Sequence, residues 1–328
     1  MNILIAHKAV IPAFLYGGIE RVIWYLGKEL IRAGHSVTYL VNEGSNCDFA
    51  PVLFFDHSKS LSDQIPDSID MIHFQYYPEE EIKKPYLITS HTNIKASIGL
   101  DRNTVFVSKY HASRYGSDTF VYNGVDWSDY GNPNLEGKRK YFHFLGKAAW
   151  RVKNVQGAIN TIKLTSHEKM KVLGGNRLNI KMGFRLTLSP RIGFCGMVGG
   201  EEKNELLRHS KGLVFPVRWH EPFGIAITES LYFGCTVFGT PYGSLPELVN
   251  KDVGYLSSNS SELAEAIEGS DSYSKKRCHE YAREEFNSKK MAEAYVRNYE
   301  RVLNGDTLNA NPPKLLQKQM EKFLPWTK

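Results

Sequence analysis

Residues 212–234 read GLVFPVRWHEPFGIAITESLYFG. Gly212–Pro216 is an apolar run of the length and composition of a buried parallel strand. The helical pattern after it runs through Ile225, Ala226, Glu229 and Leu231. It ends at Gly234, a good residue just past a helix C-terminus. A strand feeding a helix leaves unpaired N–H groups at the helix start, where the dipole also favours an anion. Glu221 and Glu229 lie eight residues apart, about two turns of helix. They therefore share one side of the element, one at its mouth and one two turns in. Glu229 stands between Thr228 and Ser230 in an otherwise apolar helix, so its carboxylate needs a hydrogen-bonding partner.

The spacing and its surroundings, PVRWHEPFGIAITESLYFGCTVFGTPYGSLPEL, resemble the retaining GT-B glycosyltransferases of the family 4 type, the group 1 glycosyl transferases. The resemblance implies an α/β fold of two doubly wound, Rossmann-like parallel-sheet domains facing a cleft. It implies that Glu229 holds the ribose of a nucleotide. It implies that Glu221 holds the donor sugar, with the backbone N–H groups of Phe223, Gly224 and Ile225 beside it. Without the flanking sequence, the same spacing would suit a surface Glu and a buried capping Glu.

At 328 residues the chain has room for about two domains. Its composition, 42 % apolar with modest charge, is that of a globular protein. No apolar run reaches the length of a membrane span, and the N-terminus reads as a first strand, not a signal peptide. Cys47, Cys195, Cys235 and Cys278 are widely spaced in mostly apolar patterns, as expected of buried thiols in a reducing, cytoplasmic compartment. The eleven histidines show no metal-ligand spacing, and no metal or cofactor is expected. The net charge of +6 permits anionic substrates or an anionic membrane surface. No aromatic-and-basic signature of a nucleic-acid module is present.

In chain order, Asn2–Ala6 reads as a strand. A helix comes next with Ile19, Val22, Ile23, Leu26 and Leu30 at helical spacing, then a strand at Val37–Val41. This is the first βαβ unit of a doubly wound domain. Gly17-Gly18 at the helix start permits close approach of a phosphate, or serves only as a tight turn. The form YGGIERVIWYLGKEL resembles the family's first glycine loop. No Gly-x-Gly-x-x-Gly occurs, which argues against a dinucleotide cofactor. Further strands are expected at 52–55, 71–74, 86–89, 105–107 and 120–122. Polar strand ends, His73-Phe74-Gln75 and Ser90-His91-Thr92-Asn93, stand where ligands gather in open α/β sheets. The resemblance assigns His91 to the donor sugar's neighbourhood; a lone His serves a structural role as readily. Val107-Ser108-Lys109-Tyr110 and Asn123-Gly124-Val125-Asp126 resemble landmarks near the end of the family's first domain.

The expected division is 1–130 for the acceptor-side domain and 138–304 for the nucleotide-sugar domain, with a polar linker at 129–140. The second domain starts with the strand 141–145 and the basic loop Lys147–Asn154. By resemblance, Lys147 and Lys153 bind the donor diphosphate, with Arg151 able to stand in for Lys147. Lysine keeps the charge of the family's usual arginine and loses its bidentate fork. The resemblance also sets the nucleobase along the backbone of 194–198. Ser260–Leu303 reads as helical and charged. The tail 305–328 contains an amphipathic pattern at 314–324, expected to be a helix docked on the first domain or, alternatively, a peripheral contact with the inner membrane.

The function implied is transfer of a sugar from a nucleoside-diphosphate donor, UDP-linked before GDP-linked, to a glycan or glycolipid hydroxyl. By the same resemblance it serves lipopolysaccharide, O-antigen or another surface glycan. The competing readings are a GT-B epimerase or phosphorylase and a sugar-nucleotide-binding subunit without activity. No Asp-x-Asp triplet is present to hold a metal against a diphosphate.

Overall fold

A computed structural model describes residues 1–12, 17–180, 182–316 and 318–327. The chain forms two compact units, Met1–Asp126 with Phe286–Lys318, and Trp127–Glu285 with Gln319–Lys328.

The first unit is built on the strands β1 (Asn2–His7), β2 (Ser36–Val41), β3 (Val52–Phe54), β4 (Met71–Phe74), β5 (Tyr86–Ser90) and β6 (Thr104–Phe106). All are parallel, in the order β3-β2-β1-β4-β5-β6. Ile3, Leu4, Ile5 and Ala6 are fully buried, as a central strand covered on both faces requires. Helix α1 (Gly18–Arg32) buries Val22, Ile23, Leu26 and Leu30, the stripe that the sequence periodicity marks. Short helix α2 (Lys109–Arg114) comes after β6, and the helix Ser288–Leu303 returns to pack on α1 and β5.

The second unit repeats the plan with β7 (Tyr141–Leu145), β8 (Met170–Leu173), β11 (Ile192–Phe194), β12 (Ser210–Phe215), β13 (Thr236–Gly239) and β14 (Gly254–Leu256). Its order, β11-β8-β7-β12-β13-β14, is the same as that of the first sheet, and it too is parallel. The strands β9 (Leu178–Asn179) and β10 (Arg185–Leu186) form a separate antiparallel hairpin. The helices of this unit are α3 (Val155–Leu164), α4 (Gly200–Arg208), α5 (Ile225–Tyr232), α6 (Leu245–Leu248), α7 (Ser260–Glu268) and α8 (Lys275–Glu285). Two six-stranded parallel sheets with helices on them make this an α/β protein of two doubly wound units.

Some sequence expectations differ from the structure. Residues 120–122 contribute only a single bridge, Phe106 to Phe120. The segment 129–140 is largely exposed but falls within the second unit, where buried Tyr130 and half-buried Arg139 anchor it. Trp127 stacks on Tyr232 at 4.4 Å, and Arg139 donates to the carbonyls of Leu207, Arg208, Ser210 and Phe233. Aromatic burial and carbonyl pairing outweigh its glycines and proline. The helical stretch 260–303 divides into α7, α8 and the helix Ser288–Leu303, the last of which falls in the first unit and not with 138–304.

The tail 305–328 divides between the units. Lys314 and Leu316 donate backbone N–H groups to Tyr115 and Arg114 of the first unit, while Leu324 and Thr327 donate to Arg218 and Ser258 of the second. None of the described residues of 314–324 is helical. Leu315 packs on the first unit and Phe323 lies against Arg151 and Arg218 of the second, while Leu316 and Met320 are exposed, so the described residues form no single helical face.

Candidate active site

Strand β12 delivers the chain to the loop that carries Glu221. Arg218 N–H donates to the Val152 carbonyl at 2.7 Å, tying this loop to the one after β7. Gly224, at φ 91°, is the N-cap of α5 and occupies the left-handed region that favours glycine. No side chain caps this helix start, so none competes with an anion there. Gly243, at φ 66°, lies so close that a Cβ would collide with the backbone of Glu221. Ser244 then donates its N–H to the Glu221 carbonyl at 2.9 Å and its hydroxyl to the Phe223 carbonyl at 2.6 Å. The backbone around Glu221 is thus held by the loop between β13 and α6.

The Glu221 carboxylate is buried. Its Oε2 accepts from Lys153 Nζ at 2.6 Å and from Trp219 Nε1 at 2.8 Å. Lys153 is buried as well, its ammonium 5.1 Å from the Phe215 ring and 5.0 Å from the Trp219 ring. Asn154, next in the chain, sits in the left-handed region and caps α3. Its carboxamide accepts from Gly157 N–H at 3.1 Å and donates to the Pro216 carbonyl at 2.9 Å. The sequence singled out Lys153 and Glu221 separately; the fold makes them an ion pair.

Lys147 and Arg151 stand on the same loop but are exposed. The Lys147 ammonium lies 5.4 Å from the Trp150 ring. The Arg151 guanidinium lies 5.0 Å from the Phe323 ring, which it shares with Arg218 at 5.2 Å. Arg151, Arg218 and Phe323 border a cavity of about 540 Å³ whose walls include Asn154, Arg185 and Trp326. Lys147, Lys153, Glu221 and Glu229 do not line it.

Glu229 is 2 % exposed. Its Oε1 accepts from Tyr130 Oη at 2.7 Å and from Lys203 Nζ at 2.5 Å, and the Lys203 ammonium sits 5.0 Å from the Tyr130 ring. The need for a partner is readable in the sequence, because a carboxylate in an apolar helix must be paired. The identity of the partners is not. Tyr130 falls in the segment expected to be linker, and Lys203 in a helix that reads as polar on all sides. His143, on central strand β7, is fully buried between the hydroxyls of Ser210 at 2.6 Å and Ser230 at 2.9 Å. Burial holds it down to about 3, so it is neutral.

Gly17, Gly18 and His91 belong to the first unit. Gly17 is the N-cap of α1 and Gly18 its first residue; Tyr16 lies outside the described residues. Beyond β5, His91 Nε2 lies 2.6 Å from Gln75 Oε1. That contact places the proton on Nε2 and leaves Nδ1 as an acceptor. Burial, with repulsion from His7 and His111, holds His91 down to about 3. His7 lies 3.8 Å from Glu20, and the imidazole beside it holds the Glu20 carboxyl below the ordinary range. His73 has a structural role: fully buried, it bridges Tyr299 Oη at 2.8 Å and Thr89 Oγ1 at 2.7 Å. The four cysteines are free. Cys235 and Cys278 are buried, and Cys47 and Cys195 are half-buried.

Residues 139–269 match the family described as glycosyl transferases group 1. With the fold, that match marks the chain as a glycosyltransferase. No curated protein sequence matches it. Among solved structures it is similar to AviGT4, a glycosyltransferase involved in avilamycin A biosynthesis, with TM-score 0.72 and 18 % identity over 93 % of this chain and 99 % of that one. It is also similar to sucrose-phosphate synthase from Thermosynechococcus elongatus, with TM-score 0.70 and 15 % identity over 93 % and 100 % of the two chains. A third is Anabaena Alr3699/HepE in complex with UDP and glucose, with TM-score 0.65 and 15 % identity over 92 % and 99 %. Similarity at this level of identity establishes the fold alone.

Proposed function

We propose that this glycosyltransferase moves a sugar from a nucleoside-diphosphate donor, UDP-linked before GDP-linked, to a hydroxyl of a glycan or glycolipid, with retention at the anomeric carbon. The observation that carries the reading is the buried Lys153–Glu221 pair before the uncapped start of α5, with Glu229 buried about one turn into that helix. An ammonium has three N–H donors, and Glu221 accepts from one of them. A second is then available to a phosphate oxygen. The anomeric C–O bond to the β-phosphate breaks, and the acceptor oxygen bonds the same face of that carbon. The acceptor's proton leaves on the departing phosphate oxygen, and the nucleoside diphosphate is released. Charge growing on that diphosphate is stabilised by Lys153 and the first-turn N–H groups of α5, with Arg151 and Lys147 as outer cations. Glu221 orients the sugar and Glu229 the ribose. His91, neutral, offers a hydrogen bond to sugar or acceptor.

The bound UDP and glucose of Alr3699/HepE, and the ADP of the Arabidopsis thaliana starch synthase IV catalytic domain, support a nucleoside-diphosphate donor. Assignment to a surface glycan made at the cytoplasmic face of a membrane has the sequence resemblance as its support. The test is a panel of nucleotide-sugars, with products read by NMR. The expected result is consumption of one UDP- or GDP-sugar with the anomeric configuration kept. An inverted product overturns the stereochemistry. Absence of transfer and hydrolysis with every donor, together with no binding of UDP or GDP, overturns the whole reading.

A further inference from the structure

The cavity beside Arg151 lies on a different face of the second sheet from the residues proposed to hold the nucleoside. Parallel strands joined through a helix cross over right-handedly, so the direction of the step sets the face that the helix covers. From β7 to β8 the chain steps one way across the sheet, and from β12 to β13 it steps the other way. Helix α3 therefore covers one face and α5 the opposite one. Each packs on a different neighbour, α3 on α7 and α5 on α8. Glu229 belongs to the α5 face, with its partner Lys203 of α4. The cavity is walled by the start of α3, the β9–β10 hairpin and the tail residues Phe323 and Trp326, so it belongs to the α3 face.

Its lining is basic and has no counter-charge. Arg151, Arg185 and Arg218 line it, and no Asp or Glu does among the described residues. A guanidinium has five N–H donors. Arg218 commits Nε to the Leu324 carbonyl at 2.7 Å, and Arg185 commits Nη2 to the Asn176 carbonyl at 3.1 Å. Arg185 Nη1 is buried and has no partner among the described residues. A buried donor left unpaired is costly, more so on a cation, and a ligand that accepts from it recovers that cost. Burial holds the Arg185 guanidinium below its ordinary value, with no carboxylate to offset it.

The rest of the lining narrows the ligand. Trp150 and Trp326 contribute indole rings. Gln156 Nε2 donates to Asn160 Oδ1 at 2.9 Å, which leaves the Gln156 carbonyl to accept and the Asn160 amide nitrogen to donate into the same cavity. A bare inorganic anion has no use for indoles, and an apolar ligand none for arginines. A sugar ring has a C–H face that suits an indole and hydroxyls that suit amides. A carboxylate or phosphate on that ring meets guanidinium groups in bidentate fashion. The volume fits, since small-molecule pockets run from about 300 to 1,000 Å³.

We propose that this cavity binds an acidic sugar, one that carries a carboxylate or a phosphate. The sugar is a residue of the acceptor glycan or a free effector, and the chemistry that recognises it is the same. Of the residues given to the donor chemistry only Arg151 is shared, so the test uses Arg185 and Trp326.

The experiment is calorimetry on the full chain, with and without saturating UDP, titrating glucuronate and glucose-6-phosphate against glucose and inorganic phosphate. One of the two acidic sugars should bind about tenfold or more tighter than either control, and equally well with UDP present. Arg185→Gln should weaken that binding by about tenfold or more and leave UDP affinity as it is. Trp326→Ala should weaken it as well, which separates recognition of the ring from attraction of any anion. Adding the donor panel to the bound sugar reads its source: a glycosylated product assigns it to the acceptor, an unchanged sugar that alters turnover is an effector, and both keep the site. Binding of neither acidic sugar by a chain that binds UDP overturns the proposal. So does displacement of the sugar by UDP, inorganic phosphate bound as tightly as the sugar, or folded variants that bind as the wild type does. A chain that binds the acidic sugar and not UDP keeps this site and counts against the donor reading instead.

Discussion

Central strands β1 and β4 of the first unit and β7 and β12 of the second occupy the same places in sheets of the same order. The residues beyond their carboxyl ends differ. After β7 and β12 stand Lys153 and Glu221, a buried ion pair, and Lys203 with Glu229 makes a second. After β1, β4 and β5 stand His7, Gln75 and His91, with His91 held neutral by burial. Buried charges are expensive to keep unless paired. One unit maintains such pairs beyond its central strands, and the other sets neutral His91 against Gln75 there, near the His7–Glu20 contact. A nucleoside diphosphate is an ion and a sugar hydroxyl is not. One topology therefore carries two different chemistries at its strand ends through a few residues, and under the proposed function the charged set suits the diphosphate.

The largest expected effect comes from breaking the charged side of the comparison at Lys153. Lys153→Ala leaves Glu221 buried without its cation, which costs roughly 3–5 kcal/mol of stability. It also removes a charge from the leaving diphosphate, lowering turnover by about 100-fold or more. Adding Glu221→Gln should restore the melting transition without restoring turnover. Lys153→Arg should recover part of the rate, since a point charge suffices. Denaturant melting and transfer rates on the three variants check this. If Lys153→Ala melts and turns over as wild type does, the diphosphate site moves to Arg151 and Lys147.

The next effect separates the two glutamates. Glu229→Gln keeps shape and loses charge, and should weaken binding of free UDP by roughly 1.5–3 kcal/mol. Glu221→Gln should leave free-UDP affinity near wild type and lower turnover, because its partner in the complex is the sugar. Calorimetry showing the reverse pattern would exchange the two roles.

How much of this contrast is legible in the sequence depends on distance along the chain. The strand–helix alternation and the apolar stripe of α1 are local, and each appears where the periodicity places it; the two-turn spacing does not hold, because α5 starts at Ile225 and Glu221 stays in the loop before it. The pairing of Lys153 with Glu221 joins residues from loops after different strands, and only the register of β7 beside β12 reveals it. Tyr130 and Lys203 come from elements whose composition suggests solvent, yet both are buried against Glu229. The tail misleads for the opposite reason. Leu315, Leu316, Phe323 and Leu324 satisfy a helical spacing, but the chain binds two surfaces by extended backbone pairing, which periodicity does not encode.

A smaller effect sharpens the comparison through pH. His35, His73, His91 and His111 in the first unit, and His143 and His279 in the second, are all held below the ordinary histidine value, chiefly by burial. A depressed folded value means that the unfolded chain binds the extra proton. The stability is complete above about 6.5 and is lost as pH falls from there toward about 3 for His91, His111 and His143. Each fully buried group contributes a slope of up to about 1.4 kcal/mol per pH unit. Between pH 6.5 and 5, above the carboxylate range, the first unit should therefore lose protection faster than the second. Hydrogen exchange on the full chain, resolved by peptide, reads this directly. Equal slopes would place other proton-binding groups in the second unit.

The smallest expected effect is that of a chelator. A departing diphosphate needs positive charge, supplied by a metal held on carboxylates or by side-chain cations. The carboxylates nearest the start of α5 are engaged. Glu221 accepts from Lys153 and Trp219, and Glu229 from Lys203 and Tyr130. The sequence offers no Asp-x-Asp pair beside them. If the second unit carries its counter-charge in its own lysines, turnover in excess EDTA should stay within about twofold of turnover with magnesium. Loss of activity in EDTA, restored by magnesium or manganese, would mean that the charge is borrowed from solution. The contrast between the two sets of strand-end residues would then describe how the units fold and not how the donor is bound. The same titration on Lys153→Ala distinguishes the two cases. A metal-dependent enzyme would lose little on removing the lysine, and a lysine-dependent one gains little from added metal.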